Sequence, residues 1–152
     1  MSGSTSRPAQ VPAVRADFAL FQPMTTRWAD NDVYGHMNNV VHYSLFDSVV
    51  NGFLIRKGVL NPTGGDTVFL VAETGCRYHA ELAFPDTVTA GLRVARLGRS
   101  SVEYAIGLFR EKADSAAAEG RFVHVNVDRQ TRRPMPIPDK TRAVLQSLCQ
   151  PG

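Results

Sequence analysis

The sequence predicts a single α+β domain in which a five-stranded antiparallel sheet wraps around one long helix, with a small helix at the C-terminus. One strand pattern precedes a long helical pattern, and four alternating segments then follow with short turns between them. Consecutive strands joined by short turns pair in an antiparallel manner. Because one helix cannot cover every apolar strand face, we expect the remaining face or edge of the sheet to meet another copy of the chain.

Length, charge and cysteine content restrict the classes of protein to which the chain can belong. A chain of 152 residues suits one domain with one core. Its net charge of +3 is too small to indicate nucleic-acid binding. Cys76 and Cys149 form no CxxC pair, so neither a disulfide framework nor a zinc site is predicted, and a reducing cytoplasm is favoured.

The N-terminal segment is predicted to lie outside the domain. Residues 1–16 are rich in Ser, Pro and Ala and lack the apolar segment of a secretory signal, so we expect a flexible tail before a domain spanning residues 17–150. No apolar run approaches the length needed to cross a membrane.

The first two elements are a strand and the long helix. Residues 18–29 are predicted as a strand, and Pro23 within it indicates an edge strand or a bulge. Residues 39–57 are predicted as a helix, with Asn38 as N-cap and Gly58 just past the C-terminus. Its apolar stripe recurs every four residues, at Val41, Leu45, Val49 and Phe53.

The remaining strands are predicted from alternation of apolar residues. They cover residues 67–80, 87–97, 101–112 and 120–128, with turns at Pro85-Asp86 and Gly98-Arg99-Ser100. Their aligned apolar residues are, in order, Val68, Leu70, Ala72, Cys76 and Tyr78; Val88, Ala90, Leu92 and Val94; Val102, Tyr104, Ile106 and Leu108; and Val123, Val125 and Val127. Residues 139–148 are predicted as a short helix capped by Asp139.

The loop before the long helix concentrates the residues that can carry chemistry. It contains Asp32, Gly35, His36, Met37, Asn38 and Asn39. Free N–H groups in the first turn of a helix can polarise a carbonyl, and a carboxylate beside them can activate water or attack the carbon. This combination indicates an acyl-transfer site. Asp30 is interpreted as a turn or capping carboxylate, whereas His36 is either a polarising group or a structural histidine.

The pattern Asp32-x-x-Gly35-His36-Met37-Asn38-Asn39, between a strand and a long helix, resembles the signature of hotdog-fold acyl-CoA thioesterases. The closest group is the 4-hydroxybenzoyl-CoA thioesterase-like family. The resemblance extends to Gly98-Arg99-Ser100-Ser101 and to Phe122-Val123-His124-Val125 with Asp128, and it covers residues 27–138. It implies homodimers that often pair into homotetramers, with active sites between subunits.

The resemblance also implies roles for individual residues. Asp32 is the essential carboxylate, acting as general base or as nucleophile, and a backbone N–H near Asn39 holds the thioester oxygen. We expect Gly35, His36 and Asn38 to contact the substrate, which is an acyl-CoA. From the residues themselves, Arg99, Ser100, Ser101 and the arginines between 129 and 133 are candidates to hold CoA phosphates, although a solvated basic surface is equally consistent.

Two other functions remain open from the sequence. The substrate could be an acyl-carrier-protein thioester, because a basic rim suits an acidic carrier, or the domain could bind acyl-CoA without hydrolysing it. We expect no metal and no cofactor apart from the CoA of the substrate. His36 and His42 lie six positions apart, and no closed set of metal ligands is visible.

Overall fold

The secondary-structure elements follow one another in the predicted order. The structure, a computed structural model, describes residues 11–61 and 63–149. The strands and helices are β1 (Leu20–Met24), α1 (Asn39–Arg56), β2 (Thr67–Tyr78), β3 (Val88–Leu97), β4 (Ser101–Arg110), β5 (Ala118–Asp128) and α2 (Asp139–Gln146). All strand pairs are antiparallel, and the sheet order is β1-β3-β4-β5-β2. The predicted fold class is therefore confirmed.

Part of the predicted N-terminal tail can be described. Residues 1–10 and residue 150, the last residue of the predicted domain, lie outside the described residues. Closer to the domain, Val14 forms an isolated bridge with Ser115, and the N–H of Ala13 donates to the Glu119 carboxylate at 3.1 Å. The described end of the segment is therefore attached to the sheet at β5 and the turn before it.

Helix α1 has the predicted limits to within one residue. The Asn38 side chain accepts a hydrogen bond from the N–H of Val40, as expected of an N-cap. Gly58 follows the helix with φ of +70°, a value that glycine adopts without steric cost. The buried side chains of α1, which pack against the sheet, are His42, Leu45, Phe46, Val49, Val50, Phe53 and Leu54.

Strand β1 is shorter than predicted. It ends at Met24, and Trp28–Asp30 form a 3-10 turn where the sequence indicated continued strand. Asp30 causes this difference, because its carboxylate accepts a hydrogen bond from the N–H of Arg27 at 2.8 Å and closes the turn. Pro23 does lie in an edge strand, which is the position in a sheet that tolerates a missing N–H.

The predicted apolar faces of β3 and β4 are confirmed. The aligned residues of β3 are at most 2% exposed, and those of β4 are fully buried in the core that both strands share with α1. In β5 the valine face is not the one that meets the helix. Phe122, His124 and Asn126 are buried there, whereas Val123 and Val125 are half-buried on the opposite face.

A bulge explains why the predicted face of β2 is also wrong. Val71 pairs with His124 and Glu73 pairs with Val123, so Ala72 is an extra residue in the ladder. A series of every second residue therefore points to one face of the sheet before Ala72 and to the other face after it. Leu70 lies on the outer face with Val125, whereas Tyr78 lies on the helix face and meets the His42 ring at 4.9 Å.

Helix α2 ends at Gln146, two residues earlier than predicted, and Pro138 occupies the N-cap position that was predicted for Asp139. Asp139 is instead the first helical residue, where its charge suits the helix dipole. Within the described residues, no helix is long and apolar enough to cross a membrane.

Candidate active site

The loop from Arg27 to Asn38 is held in place by a buried carboxylate. Asp30 is 2% exposed, and it accepts hydrogen bonds from the backbone and the guanidinium of Arg27, the latter at 2.9 Å. Its backbone oxygen accepts from the N–H of Asn38 at 2.8 Å, immediately before the helix. Asp30 is thus the capping carboxylate that the sequence predicted, and it fixes the two ends of the loop to each other.

Asp32 lies in the next turn with one carboxylate oxygen fixed. Oδ1 accepts from the N–H of Tyr34 at 2.9 Å and from that of His36 at 3.4 Å. Gly35 completes the turn with φ of +83°, a conformation that other residues adopt only with strain. Oδ2 accepts no hydrogen bond from any described residue, so it is free to meet a water molecule or a substrate.

The start of α1 presents a free donor in the same region. The N–H of Val40 is satisfied by the Asn38 side chain at 3.0 Å, and the N–H of Val41 by the Asn38 carbonyl at 2.8 Å. Among the described residues, none accepts a hydrogen bond from the N–H of Asn39. An unpaired N–H at a helix N-terminus attracts an oxygen that carries negative charge.

A cavity of about 350 Å³ opens beside Asp32 and Asn39. We call it the histidine pocket. It lies between the loop, the first turn of α1 and the segment after β2, to which the loop is joined by a hydrogen bond from Met37 N to Leu82 O at 2.7 Å. Its other polar lining residues are His36, His42, Tyr78, His79 and Glu81.

Two histidines of this pocket form close pairs with carboxylates. His36 Nε2 lies 2.8 Å from Glu81 Oε2, and both side chains are exposed. His79 Nε2 lies 2.6 Å from Glu119 Oε2, and that pair is largely buried. A carboxylate partner fixes the orientation of an imidazole. Of these four residues, only His36 was singled out from the sequence.

His42 was missed by the sequence analysis as a site residue. It is 3% exposed, and its Nδ1 atom makes no hydrogen bond within the described residues. Burial lowers the pKa of His42 below its usual value, although the backbone at Asn38 and Asn39 partly opposes the shift, so the ring is neutral at pH 7. Its spacing of three residues from Asn39 was an available signal, because residues three apart share a helix face.

Asp32 also lines a second cavity, of about 660 Å³, which is formed by residues of the loop itself. We call it the tryptophan pocket. The Trp28 side chain is 78% exposed and Val33 is 92% exposed, which is unusual for large apolar residues. The remaining lining residues are Ala29, Asn31, Gly35 and Asn38.

The predicted phosphate-binding residues lie at the opposite end of the sheet. Arg99, Ser100 and Ser101 follow β3, whereas the Asp32 loop lies near its start, where Thr26 donates to Asp86 O at 2.7 Å. A strand of ten residues spans roughly 30 Å. One chain therefore does not bring these residues together with Asp32.

The arginines after β5 differ in what they contact. Arg129 donates from its side chain to the carbonyls of Gly64 and Gly65 at 2.6 and 2.9 Å, so it holds the loop before β2. Arg132 and Arg133 are exposed. Within residues 11–61 and 63–149, no group of three or more His, Cys, Asp or Glu side chains is arranged to hold a metal ion.

The chain is similar to a known protein family over most of its length. The sequence model of the thioesterase-like superfamily matches residues 26–145. The chain is 23% identical over 88 residues to the YsmA protein of Bacillus subtilis, a match that covers 58% of this chain and 59% of that relative.

Two solved structures are similar over most of their length. The PA5185 protein of Pseudomonas aeruginosa strain PAO1 is 48% identical, with a TM-score of 0.88 over 91% of this chain and 97% of that one. A thioesterase of Thermus thermophilus, determined with coenzyme A and Zn, is 27% identical, with a TM-score of 0.72 over 87% of this chain and 95% of that one.

Proposed function

Because this chain belongs to the thioesterase-like superfamily, we propose that it hydrolyses acyl-CoA thioesters to a free acid and CoA. The observation that carries the proposal is the arrangement around Asp32. One oxygen of this carboxylate is fixed by two backbone amides and the other is open, and the carboxylate shares the histidine pocket with Asn39 at the start of α1.

Asp32 acts on the thioester carbonyl in one of two ways. As general base it removes a proton from the attacking water, which then displaces the thiolate of CoA. As nucleophile it attacks the carbonyl carbon and expels the thiolate of CoA, and water then hydrolyses the resulting anhydride. Both routes need an ionised carboxylate with one free oxygen. The two amides that hold Oδ1 leave Oδ2 for this role.

The N–H of Asn39 stabilises the negative charge that develops on the thioester oxygen. A donor of this kind contributes about 3 kcal/mol to the transition state. Gly35 permits the turn that brings Asp32 beside this donor, Asn38 caps the helix that supplies it, and His36 contacts the substrate from the pocket wall. The neutral His42 ring lies beneath them.

We propose that two copies of the chain form one site. Strand β2 is the edge of the sheet, and an edge strand presents unpaired N–H and C=O groups. Antiparallel pairing of β2 with a second β2 would place the far end of one sheet beside the Asp32 end of the other. Arg99, Ser100 and Ser101 would then reach the CoA phosphates of a thioester bound at the second copy.

Light scattering at micromolar concentration tests this assembly. We expect the mass of a dimer or of a tetramer. A monomeric mass at full activity would contradict both the assembly and the shared site.

The decisive experiment on the activity compares two substitutions of the same kind. Asp32→Asn is expected to lower turnover of acyl-CoA at least about a hundredfold with little loss of thermal stability, since one acid–base or nucleophilic group is removed. Asp47→Asn is the matched control, because Asp47 is an exposed residue of α1 whose carboxylate forms a hydrogen bond, among the described residues, with Asn51 alone. Near-normal turnover by a folded Asp32→Asn protein would refute the role of Asp32.

The same assay distinguishes the alternatives. Faster hydrolysis of a carrier-protein thioester than of the CoA thioester would make the carrier the substrate. Binding of acyl-CoA without release of free thiol would identify a non-catalytic binding module.

We propose that hydrolysis needs no metal. Loss of activity on treatment with a chelator, followed by recovery of activity on addition of one divalent ion, would contradict this. A reducing cytoplasm suits the free Cys76 and Cys149.

A further inference from the structure

Asp32 separates two pockets of opposite chemical character. The histidine pocket and the tryptophan pocket share one described lining residue, which is Asp32. A thioester has two arms that leave its carbonyl in different directions. A carbonyl bound at Asp32 can therefore place one arm in each pocket.

The histidine pocket is unsuited to hydrocarbon. His36, His79 and Glu81 lie at its wall, where the two histidines are each paired with a carboxylate, and the buried Nδ1 atom of His42 has no hydrogen-bond partner among the described residues. Covering such groups with alkyl carbons removes them from water without replacing their hydrogen bonds, which is unfavourable. An arm that carries amides and hydroxyls can form hydrogen bonds with them.

The tryptophan pocket is suited to hydrocarbon. Trp28 and Val33 expose most of their surface here, and the Phe84 ring lies 6.3 Å from the Trp28 ring, edge-on. Charged groups on this wall are limited, among the described lining residues, to Asp32 itself. Apolar side chains exposed next to a reactive carboxylate gain free energy when an apolar group covers them.

We propose that the substrate carries an apolar acyl group, which binds against Trp28 and Val33 in the tryptophan pocket while the amide-bearing arm of CoA occupies the histidine pocket. This inference rests on the proposed hydrolysis and adds the class of acyl group. It selects alkyl or unsubstituted aryl groups over acetyl and over strongly polar acyl groups.

The kinetic test compares an aromatic residue from each pocket. Each buried methylene is worth about fourfold in binding, so the wild-type protein is expected to prefer hexanoyl-CoA to acetyl-CoA at least about tenfold in kcat/KM. Trp28→Ala should reduce this preference by about tenfold, whereas Tyr78→Ala should retain it. Met135→Ala, at the far end of the sheet, is the control for an exposed apolar residue. Loss of the preference in Tyr78→Ala instead would place the acyl group in the histidine pocket and overturn the proposal.

A binding test uses the fact that Trp28 is the only tryptophan of the chain. The thioether S-hexyl-CoA cannot be hydrolysed, and CoA alone lacks the alkyl group. We expect S-hexyl-CoA to shift the fluorescence emission of Trp28 to shorter wavelength, because the ring loses contact with water, and CoA to shift it much less. An equal shift with both ligands, or bound S-hexyl-CoA without a shift, would overturn the proposal.

The two tests separate this inference from the proposed function. If no thioester is hydrolysed but S-hexyl-CoA still shifts the emission, the pocket assignment stands and the hydrolytic function fails. If both thioesters are hydrolysed at equal rates and the emission does not change, the hydrolysis stands and the pocket assignment fails. Trp28 is mostly exposed, so its replacement is not expected to prevent folding.

Discussion

His124 makes the stability of the protein depend on pH, and replacing it with Phe tests this. The ring is 2% exposed between the helix and the sheet, and it is stacked on Phe69 with a centroid distance of 5.2 Å. Its edge-on neighbours are Tyr104 and Phe122, and no described residue forms a hydrogen bond with its Nδ1 atom. A phenyl ring can keep these aromatic contacts, and it leaves no nitrogen to be satisfied.

The size of the effect follows from the protonation of this ring. Burial lowers the pKa of His124 to about 4, from an ordinary value of 6.5 in the unfolded chain. Below pH 6.5 the His124 ring is therefore protonated in the unfolded chain but still neutral in the folded chain. The contribution of this ring to the free energy of unfolding is fully present above pH 6.5 and is lost as the pH falls toward 4. A difference of this size corresponds to about 3 kcal/mol. The lowered pKa of His42 acts in the same direction.

The assay is urea unfolding of the wild-type and His124→Phe proteins at pH 7 and at pH 4. The quantity compared is the free energy of unfolding lost between the two pH values, so any constant packing difference between the proteins cancels. We expect the variant to lose about 3 kcal/mol less than the wild type. Equal losses in both proteins would show that the ring accepts a proton at no cost, and the argument from burial would be refuted.

The remaining predictions concern the loop and the far end of the sheet. Asp30→Asn should lower the free energy of unfolding by about 2 kcal/mol, since the buried carboxylate then no longer pairs with Arg27, and thermal or urea unfolding measures it. Asp32→Asn should cost much less stability, and the opposite ranking would exchange the roles of the two aspartates. Arg99→Ala should raise KM for acyl-CoA about fivefold and leave kcat near normal, because an exposed phosphate contact is worth about 1 kcal/mol. A thioester that lacks the nucleotide is the control, and an equal loss on that substrate would assign Arg99 to the fold.

Much of the fold could be predicted because the secondary structure that each segment favours locally agrees with the place that the segment takes in the folded domain. The alternation in β3 and β4 matched burial because the apolar face of each strand is the face that enters the core shared with α1. The valines of β5 gave the wrong face because the opposite face is buried with Phe122, His124 and Asn126, two of which are polar. Asn126 is accepted there because its amide donates to the carbonyls of Met135 and Pro136. These partners lie in the segment after β5, so the pattern of residues along β5 itself does not reveal them.

The candidate site was predicted in part for a similar reason. Asp32, Asn38 and Asn39 are contiguous with a helix start, and a helix start can be recognised from capping residues. Pairing of β2 with β5 brings His79 and Glu119 together, and Glu81 lies in the segment that follows β2. The extra residue in β2 also hides the face of Tyr78 from a count of alternation. Arg99 was predicted as a phosphate ligand from its charge and its small neighbours, but it follows the end of β3 that is far from Asp32.

The extra residue at Ala72 has a consequence for how this chain can change in length. Deleting one residue there would restore a regular ladder, so β2 and β5 could still pair along their whole length. Tyr78 would keep its partner in β5 and, because paired residues share a face of the sheet, would still meet the His42 ring, so the wall of the histidine pocket would be retained. Ala72 is therefore the position in β2 at which the loss of one residue moves no side chain to the other face. The loss of one residue between Glu73 and Tyr78, with the pairing of the preceding residues kept, would instead turn Tyr78 to the outer face and remove it from the pocket.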